Sequence, residues 1–351
     1  MMKIGIFSDV AEEPNAGPGN HLNNLIKAVT AADTGHEFIL LHTSAGDHKL
    51  YEGRDSLQIS SNPLRNVRTL RTENFDILHL DCIAPFLGDT ALVATQFGDV
   101  HFAPQHLWPQ DRLTNYRKIV AQRILSPFFE SVMVSSKSAK SNLVDGGIAS
   151  DLLHVVNPGL DPAFREVEPD EGGDFLLHVS SCSIRKNPEN MLKAYEMLAD
   201  DHDIPLKIVG QGWSEDLIDR YISSSAVRNR IEWLGRVEKE RLISLYQNAL
   251  LYLAPTRHEG FGLTPLEAMA CGTPVVSHHV YAVPEVVGDA ALLVDNPEDA
   301  AAFADAIGRL LDDEGLRSEL REKGLERVDL FSWEDTAEKV IDIYDSVDSR
   351  H

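Results

Sequence analysis

The alternation of short apolar runs with helical segments is the feature that most constrains the fold of this chain. The first half contains runs of β-branched or apolar residues that predict strands, at 2–7, 37–42, 76–80, 91–96, 131–135 and 152–156. Helical patterns lie between several of them, for example from His21 to Ala32 and from Arg112 to Leu125. Strands that alternate with helices in this way form a parallel sheet covered by helices on both faces.

The same alternation begins again in the second half, after a segment that is predicted to be a linker. The segment from Pro162 to Asp174 is acidic, contains glycines and Pro169, and has no periodicity. After it, further apolar runs predict strands, at 174–180, 205–210, 230–235, 250–255, 273–277 and 291–294. We therefore predict two doubly wound α/β domains that face each other across a cleft, because such sheets bind ligands at the carboxyl ends of their strands.

The predicted domain boundaries follow from these two runs of alternation. The first domain is expected over 1–165 and the second over 166–330, and 351 residues are sufficient for two domains of ordinary size. The remaining segment, 331–351, is predicted to form a closing helix, since Trp333, Val340 and Tyr344 recur at helical spacing.

Charge, cysteines and the first residues exclude several classes of protein. A formal net charge of −23 argues against binding nucleic acid through global charge. The three cysteines are far apart and lack metal-binding spacing, so neither a disulfide framework nor a zinc site is expected. The N-terminal residues read as a first strand and no run is long enough to cross a bilayer, so a cytoplasmic location is expected.

The segment from His258 to Ser277, HEGFGLTPLEAMACGTPVVS, is the most informative stretch of the sequence. A predicted strand precedes it, a glycine-rich loop follows, and a helix is predicted to begin near Thr264. Glu259 lies just before that helix and Glu267 lies roughly one turn inside it, so both carboxylates can face one ligand at the helix N-terminus. The helix dipole there favours an anion such as a diphosphate. The alternative is an ordinary helix with an exposed glutamate.

This segment resembles the E-x7-E signature of retaining glycosyltransferases with the GT-B fold, in particular glycosyltransferase family four, also called group 1. The resemblance implies a GT-B architecture of two Rossmann-like domains. It also implies that Glu259 contacts the donor sugar and that Glu267 holds the nucleotide ribose. Backbone amides of the intervening loop would contact the sugar and phosphates, through Gly260, Phe261, Gly262 and Leu263.

The stretch from His178 to Leu198 resembles the phosphate loop of the same family. Asn187 is predicted to cap the following helix, with Pro188 in its first position, which places Arg185 and Lys186 near a positive helix end. The resemblance implies that this basic pair stabilises the departing diphosphate. A solvated basic pair is the alternative interpretation.

Two further segments resemble family elements near the nucleotide. Gly210 lies in a G-x-G after a predicted strand, and Glu215 occupies the place of the third glycine of a dinucleotide fingerprint, which disfavours an NAD site. The resemblance instead places Gly210 near the nucleotide, and Arg236 and Val237 beside its base. For the latter two, a plain loop between strand and helix is the alternative.

The first half also resembles the family, with departures. Gly17 and Gly19 resemble a glycine loop that approaches the phosphates, and a helix entry turn is the alternative. Phe97 stands where the family commonly has a histidine that contacts the donor sugar, although His101 and His106 follow. In the second half, Ser180 and Ser181 replace the usual Gly-Arg, so either Arg185 substitutes for the missing arginine or the donor is held differently.

The predicted helix at 112–125 is a basic exception in an acidic chain. It contains no acidic residue and carries Arg112, Arg117, Lys118 and Arg123. An apolar stripe is predicted from Tyr116, Ile119, Val120, Ile124 and Leu125. Two interpretations are open: a core-packed helix with solvated arginines, which we prefer, or a helix on an anionic membrane where a lipid-linked acceptor lies, at the inner membrane face.

The resemblance implies hexosyl transfer from a nucleoside-diphosphate sugar to an acceptor hydroxyl, with retention, in the synthesis of a cell-surface glycan or glycolipid. The acceptor would be a glycan, a lipid-linked saccharide or a small molecule. No cofactor is expected beyond the nucleotide sugar, which is a co-substrate. No metal is expected either, because the one D-x-D, at Asp201–Asp203, lies in a predicted turn.

Two alternatives to hexosyl transfer remain open. The first is a non-catalytic GT-B subunit or binding module, which the departures at Phe97 and Ser181 favour. The second is a nucleotide-sugar epimerase, which would release free sugar product without an acceptor.

Overall fold

The computed structural model describes residues 1–12, 17–44, 48–60, 66, 69–70, 72–85, 90–96, 112–167, 173–199 and 201–348. The chain divides into two compact units. The first unit comprises Met1–Gly159 together with Phe331–His351, and the second comprises Leu160–Leu330. Each unit contains one parallel sheet with helices on both faces, as the alternation of apolar runs and helical patterns predicts.

In the part of the chain that the structure describes, the first unit contains seven parallel strands. They are β1 (Lys3–Phe7), β2 (Glu37–His42), β3 (Ser56–Gln58), β4 (Ile77–Leu80), β5 (Ala91–Gln96), β6 (Ser131–Val134) and β7 (Leu153–Val155). Their order in the sheet is β3-β2-β1-β4-β5-β6-β7. All but β3 coincide with predicted strands. The short β3 escapes prediction because its outer residues, Ser56 and Gln58, are polar and exposed, so that no apolar run marks it.

The helices α1 (Gly17–Ala31), α2 (Arg112–Leu125) and α3 (Lys137–Asp145) belong to the first unit and precede the second unit along the chain. Helix α3 begins where the Ser136 side chain accepts a hydrogen bond from the Ala139 amide, which satisfies a donor that the first helical turn leaves unpaired. The sheet has two buried faces. One is covered by α1, whose Leu22 and Ile26 pack against Ile4, and on the other face α3 contributes the buried Leu143.

The second unit contains six parallel strands and eight helices in its described residues. The strands are β8 (Leu176–Val179), β9 (Leu206–Val209), β10 (Ile231–Gly235), β11 (Leu251–Ala254), β12 (Val275–His278) and β13 (Ala291–Val294). The helices are α4 (Pro188–Leu198), α5 (Glu215–Tyr221), α6 (Ser225–Arg228), α7 (Lys239–Gln247), α8 (Leu263–Ala270), α9 (Val283–Val287), α10 (Ala300–Asp312) and α11 (Glu314–Val328).

The strand order of the second sheet, β10-β9-β8-β11-β12-β13, determines where its site lies. From β8 the chain moves outward to β9 and β10, and then returns to the other side of β8 with β11. The order therefore reverses between β8 and β11, and loops that follow these two strands diverge at their carboxyl ends. Ligands of doubly wound sheets bind at this switch point.

The last helix, α12 (Trp333–Asp348), belongs to the first unit. Val340 and Tyr344 are fully buried in the core that α1 covers, and the Tyr344 hydroxyl lies 2.6 Å from Nδ1 of His79 on β4. The units divide at Gly159/Leu160 instead of the expected 165/166. The reason is that Phe164 is buried in the second unit's core, beside Tyr246.

None of the described helices is long and apolar enough to span a membrane.

Candidate functional site

The loops that follow β8 and β11 bring the predicted basic pair and the first glutamate together. After β8 the chain forms a 3-10 turn at Ile184–Lys186 and then enters α4. After β11 it passes through a loop that contains Glu259 and enters α8. Because β8 and β11 are neighbours in the sheet, side chains separated by more than seventy residues meet at one edge.

Glu259 forms two ion pairs at this edge. Its Oε1 accepts a hydrogen bond from Nζ of Lys186 at 2.5 Å, and its Oε2 accepts one from a terminal guanidinium nitrogen of Arg185 at 3.1 Å. Burial alone would raise the pKa of Glu259, but the charges of Lys186 and Arg185 outweigh it and lower the pKa to about 2. The group is therefore a buried carboxylate at neutral pH with two cations around it.

Hydrogen bonds to backbone carbonyls fix the basic pair against the glutamate loop. The Thr256 hydroxyl lies 3.1 Å from the carbonyl oxygen of Arg185 and 3.0 Å from that of His258. The Arg257 amide also donates to the Arg185 carbonyl at 2.8 Å, while the Arg257 guanidinium pairs with Glu298. These bonds tie the two loops together and hold the charged side chains in place.

Asn187 differs from its prediction. It precedes α4 with a left-handed backbone (φ +53°) and makes no capping hydrogen bond with its side chain. Instead its side-chain amide nitrogen, Nδ2, donates to the Pro297 carbonyl at 2.6 Å, so the side chain connects the basic turn to the loop before α10. Asn187 thus occupies the N-cap position of α4 as predicted, but without the side-chain hydrogen bond of a cap, and Pro188 occupies the first turn as predicted.

A small pocket lies beside the Lys186–Glu259 pair. It is lined by the end of β8, the end of β11 and the first turn of α8, with His178, Val179, Ser180, Lys186, Tyr252, Ala254, Pro255, Thr256, Glu259 and Thr264. Because Thr264 is in the first turn of α8, the pocket meets a helix N-terminus, which attracts an anion. The pocket thus combines an ammonium group, a helix N-terminus and one carboxylate.

Gly262 and Gly272 lie at the two ends of α8. The helix begins at Leu263, directly after Gly262, whose φ of +117° is unfavourable for residues with a side chain. After the helix, Gly272 has a φ of +78° and lies in the turn that ends it. Pro265 lies in the first turn, where the missing N–H has no intrahelical partner to lose.

Glu267 lies in α8 and has a partner that the sequence does not reveal. The hydroxyl of Tyr246, a fully buried residue of α7, donates to Oε2 of Glu267 at 3.1 Å. Burial raises the pKa of Glu267 to about 7, and the hydrogen bond from Tyr246 partly offsets that rise. Tyr246 appears in the sequence only as one apolar position of an amphipathic helix, so no local signal distinguishes it from other core residues.

Gly210 follows β9 and is required by close packing. A Cβ at this position would lie 1.9 Å from the carbonyl oxygen of Ser180, and the backbone has a φ of +140°. The Trp233 indole donates to the Gly210 carbonyl at 3.0 Å. Arg236 is exposed and Val237 is half-buried just after β10, two strands from β8. Nucleotide contacts by Gly210, Arg236 and Val237 stay predictions.

Ser180 and Ser181, which replace the usual Gly-Arg of the family, have different environments. Ser180 is buried, its hydroxyl lies 2.7 Å from Nε2 of His178, and its carbonyl accepts a hydrogen bond from the Trp213 indole at 3.0 Å. Ser181 is exposed directly after it. An arginine at position 181 would therefore have room, whereas position 180 is fixed by its packing.

In the first unit, Gly17 and Gly19 lie in the first turn of α1, which agrees with a helix entry turn. Their contact with phosphates stays a prediction. The positions at Phe97, His101 and His106 lie outside the described residues.

Among the described residues, no group of three or more His, Cys, Asp or Glu side chains is placed to hold a metal ion. In the D-x-D segment, Asp203 pairs with Arg230 at 3.0 Å. Independence from metal stays a prediction.

Comparison with known proteins gives a family match over the second unit. Residues 161–327 match the family described as Glycosyl transferases group 1. The O-antigen chain mannosyltransferase B of Escherichia coli is 36% identical over 173 residues, which are 48% of this chain and 45% of that protein. The MMP alpha-(1->4)-mannosyltransferase of Mycolicibacterium hassiacum is 28% identical over 308 residues, 82% of this chain and 75% of that protein. The chain thus spans less than half of the first relative.

Solved structures share the fold over the whole chain. Sucrose-phosphate synthase from Thermosynechococcus elongatus superposes with a TM-score of 0.78 at 20% identity, covering 100% of both chains. Anabaena HepE in complex with UDP and glucose has a TM-score of 0.78 at 17% identity and covers 99% of this chain and 100% of its own. These similarities confirm the predicted fold class of two Rossmann-like α/β domains.

Proposed function

We propose that the chain transfers a hexosyl group from a nucleoside-diphosphate sugar to an acceptor hydroxyl, because its residues 161–327 match the glycosyl transferases group 1. The donor would bind in the second unit, at the pocket between the ends of β8 and β11. The observation that supports this most directly is Glu259, a buried carboxylate held by Lys186 and Arg185 at the edge of that pocket.

The pocket offers each part of such a donor a suitable partner. The diphosphate carries negative charge, which Lys186 and the N-terminus of α8 attract. The sugar carries hydroxyl groups, which a carboxylate such as Glu259 accepts as hydrogen-bond donors. Glu267, further along α8, would accept the ribose hydroxyls. The ion pairs keep Glu259 charged and correctly placed before the donor arrives, so little reorganisation is needed.

In the proposed reaction, the bond between the anomeric carbon and the β-phosphate oxygen breaks, and a bond from that carbon to the acceptor oxygen forms. Both bonds lie on the same face of the sugar, so the configuration is retained. The acceptor proton passes to a phosphate oxygen of the leaving nucleoside diphosphate. Lys186 stabilises the charge that grows on the phosphate as the sugar leaves, which makes its contribution larger in the transition state than in the ground state.

The relatives suggest mannose as the first donor sugar to test, because both curated relatives described above are named mannosyltransferases. One of them is named for the O-antigen chain, which supports a role in cell-surface glycan synthesis. We extend both features to this chain as part of the proposal. The acceptor would accordingly be a glycan or a lipid-linked saccharide.

A thermal-shift measurement with GDP, UDP, GDP-mannose and UDP-glucose, each with and without EDTA, tests the donor site. A bound nucleotide should stabilise the protein by about 2.7 kcal/mol at a ligand concentration about one hundred times its Kd, with EDTA making no difference. Lys186→Gln should reduce the shift, whereas Lys193→Gln, which removes an exposed lysine of α4, should keep it in full. A shift that EDTA abolishes, or one that Lys186→Gln leaves unchanged, would contradict the proposal.

The same proteins separate the two alternatives. Release of nucleoside diphosphate from a nucleotide sugar in the absence of acceptor indicates a competent transferase site, while binding without release indicates a non-catalytic subunit. An epimerase would instead yield an altered free sugar, which sugar analysis of the products identifies.

A further inference from the structure

His178 and Ser180 form a hydrogen-bonded pair in the wall of the proposed donor pocket. His178 belongs to β8 and is 2% exposed, and Ser180 follows that strand directly. Nε2 of His178 lies 2.7 Å from the Ser180 hydroxyl, and Nδ1 lies 2.8 Å from the carbonyl oxygen of Leu253 on the neighbouring strand β11. Both residues line the pocket together with Lys186 and Glu259. The reaction proposed above gives this pair no role.

The Leu253 carbonyl determines which nitrogen of His178 carries the proton. A carbonyl oxygen only accepts hydrogen bonds, so Nδ1 is protonated and donates to it. Burial lowers the pKa of His178 to about 4, so the ring is neutral at pH 7 and has a single N–H. Nε2 is therefore an acceptor, and the Ser180 hydroxyl donates its proton to it.

The Ser180 hydroxyl consequently offers only lone pairs to a ligand. A hydroxyl group has one proton, and here that proton is engaged by His178. A phosphate oxygen is itself an acceptor, so it gains no hydrogen bond from this hydroxyl. A sugar hydroxyl can donate to it. The pair thus favours a ligand group that carries a hydroxyl.

Packing holds Ser180 in one position. Its carbonyl accepts a hydrogen bond from the Trp213 indole at 3.0 Å, and a Cβ at Gly210 would lie 1.9 Å from the same oxygen. The Trp213 ring also meets the His178 ring edge to face, with the ring centroids 5.6 Å apart. A hydroxyl on this support keeps its direction when a ligand binds, which discrimination between ligands requires.

The pocket offers both kinds of hydrogen-bonding partner. The N-terminus of α8, which Thr264 represents in the lining, provides donors for an anion. Glu259 is an acceptor, and Ser180 adds a second one. Ser180 stands where similar proteins usually have the glycine of Gly-Arg, and glycine has no hydroxyl. The second acceptor is thus a departure of this chain from the usual pattern.

We propose that Ser180 determines donor specificity by accepting a hydrogen bond from a hydroxyl of the donor sugar, a role that rests on the proposed function because it concerns the sugar of the same donor. Ser180 then distinguishes a sugar that has this hydroxyl from a deoxy sugar that lacks it. His178 is a positioning residue, because it acts on the sugar only through the proton of Ser180.

Calorimetric affinities for GDP, GDP-mannose, UDP and UDP-glucose test the contact with the sugar. Ser180→Ala should lower the affinity for the nucleotide sugar that binds by about three- to tenfold, as expected for one neutral hydrogen bond. Its affinity for the matching nucleoside diphosphate should stay unchanged. The control Ser181→Ala removes the same group at the exposed neighbouring position and should change neither affinity. Circular dichroism and thermal unfolding verify that both variants are folded.

Analogues of that nucleotide sugar that each lack one sugar hydroxyl identify the group that Ser180 contacts. The wild type should bind one of them about three- to tenfold more weakly than the parent compound, and Ser180→Ala should lose most of that difference. Nitrogen-15 NMR of the unliganded protein tests the positioning role of His178 separately, since it shows which ring nitrogen carries the proton. We expect the proton on Nδ1.

The outcomes separate this role of Ser180 from the proposed function. If the wild type binds neither nucleoside diphosphates nor nucleotide sugars, the proposed function is wrong and the role of Ser180 is lost with it. If the wild type binds both, two results overturn the role of Ser180 alone. In one, folded Ser180→Ala weakens both ligands equally or neither of them. In the other, the proton of His178 lies on Nε2.

Discussion

Glu259 is a buried carboxylate whose charge depends on two neighbours. The attraction of Lys186 and Arg185 exceeds the cost of burial and lowers the pKa of Glu259 to about 2. The ordinary value, 4.5, applies in the unfolded chain. Because the folded pKa is the lower one, the ion pairs contribute stability above pH 4.5 that is lost as the pH falls toward 2.

Glu259→Gln should therefore destabilise the protein near pH 7, by about 1–3 kcal/mol for a charged hydrogen-bond partner removed from a buried site. The difference from the wild type should shrink between pH 4.5 and pH 2. Urea unfolding across this range measures both quantities. The exposed pair of Glu189 with Lys193 provides the control, since Glu189→Gln should change stability by less than about 1 kcal/mol. Equal pH profiles for Glu259→Gln and the wild type would contradict this account.

Glu267 should make nucleotide affinity depend on pH. Burial raises its pKa to about 7, so the carboxylate that we propose as the acceptor for the ribose hydroxyls forms only as the pH rises through that value. Nucleotide affinity should thus increase with pH around 7, and Glu267→Gln should remove the increase. Tyr246→Phe removes a hydrogen bond that favours the charged form, so the midpoint should move to higher pH. Calorimetric titrations at several pH values test this, and an unchanged midpoint in Tyr246→Phe would count against the Tyr246 contact.

For individual residues, the sequence indicates which residue types belong to the site, but not which side chains they contact. The spacing of Glu259 and Glu267 around a helix N-terminus is readable, because it depends on local geometry. The pairing of Glu259 with Lys186 joins residues 73 positions apart and depends on the sheet order, which brings β8 beside β11. Tyr246 has no local signal at all, and the side chain of Asn187 prefers a distant carbonyl to the capping position.

Among the elements, α8 connects the fold most directly to the site. Its first turn borders the pocket, and Gly262 allows the chain to enter the helix with a φ of +117°. No atom lies within 4 Å of a Cβ placed at this position, so substitution is opposed by backbone strain and not by crowding.

Gly262→Ala should accordingly lower the free energy of unfolding by about 1–2 kcal/mol and weaken nucleotide binding, because the first turn of α8 must shift. Gly35→Ala is the matched control, since Gly35 has a φ of +69°, also has no atom within 4 Å of its Cβ position, and lies in the other unit. It should lose similar stability while nucleotide affinity stays unchanged. Chemical unfolding measures the stability of both variants and calorimetry measures their nucleotide affinity. Equal nucleotide affinities in both variants would show that α8 is not part of the nucleotide site.

Most elements are predictable because they carry strong patterns. Buried parallel strands appear as continuous apolar runs, so β1, β2 and β5 are located within a residue of their true ends. The polar β3 carries no such pattern. The position of α2 is predicted correctly. The preferred interpretation of a core-packed stripe is wrong for Tyr116, Val120 and Ile124, which are exposed, because an apolar stripe alone does not tell whether it faces the core or the solvent.

At the scale of the whole molecule, the chain leaves the first unit, builds the second and returns. The returning segment, α12, completes the core of the first unit with Val340 and Tyr344. The second unit, Leu160–Leu330, is compact without it.

Deletion of 331–351 should therefore destabilise the first unit strongly, because it exposes the apolar face that α12 covers. The second unit should remain folded and bind nucleotide. Limited proteolysis and calorimetry of the truncated chain measure the two effects. Loss of nucleotide binding together with the fold of the first unit would show that the units do not fold separately.

The central claim is that the pocket beside Lys186 and Glu259 binds the donor of a glycosyl transfer. Calorimetric affinities for the nucleoside diphosphate and for the nucleotide sugar, measured beside turnover for three variants, test it most directly. Lys186→Ala should lower turnover more than donor affinity, and Glu267→Ala should weaken donor binding by about 1–3 kcal/mol. Glu259→Ala should abolish transfer while the plain nucleotide still binds, at least as tightly as to the wild type, because a negative charge leaves the site. If Glu259→Ala and Glu267→Ala were folded and left both affinities and turnover intact, the donor would bind elsewhere and the account would be contradicted.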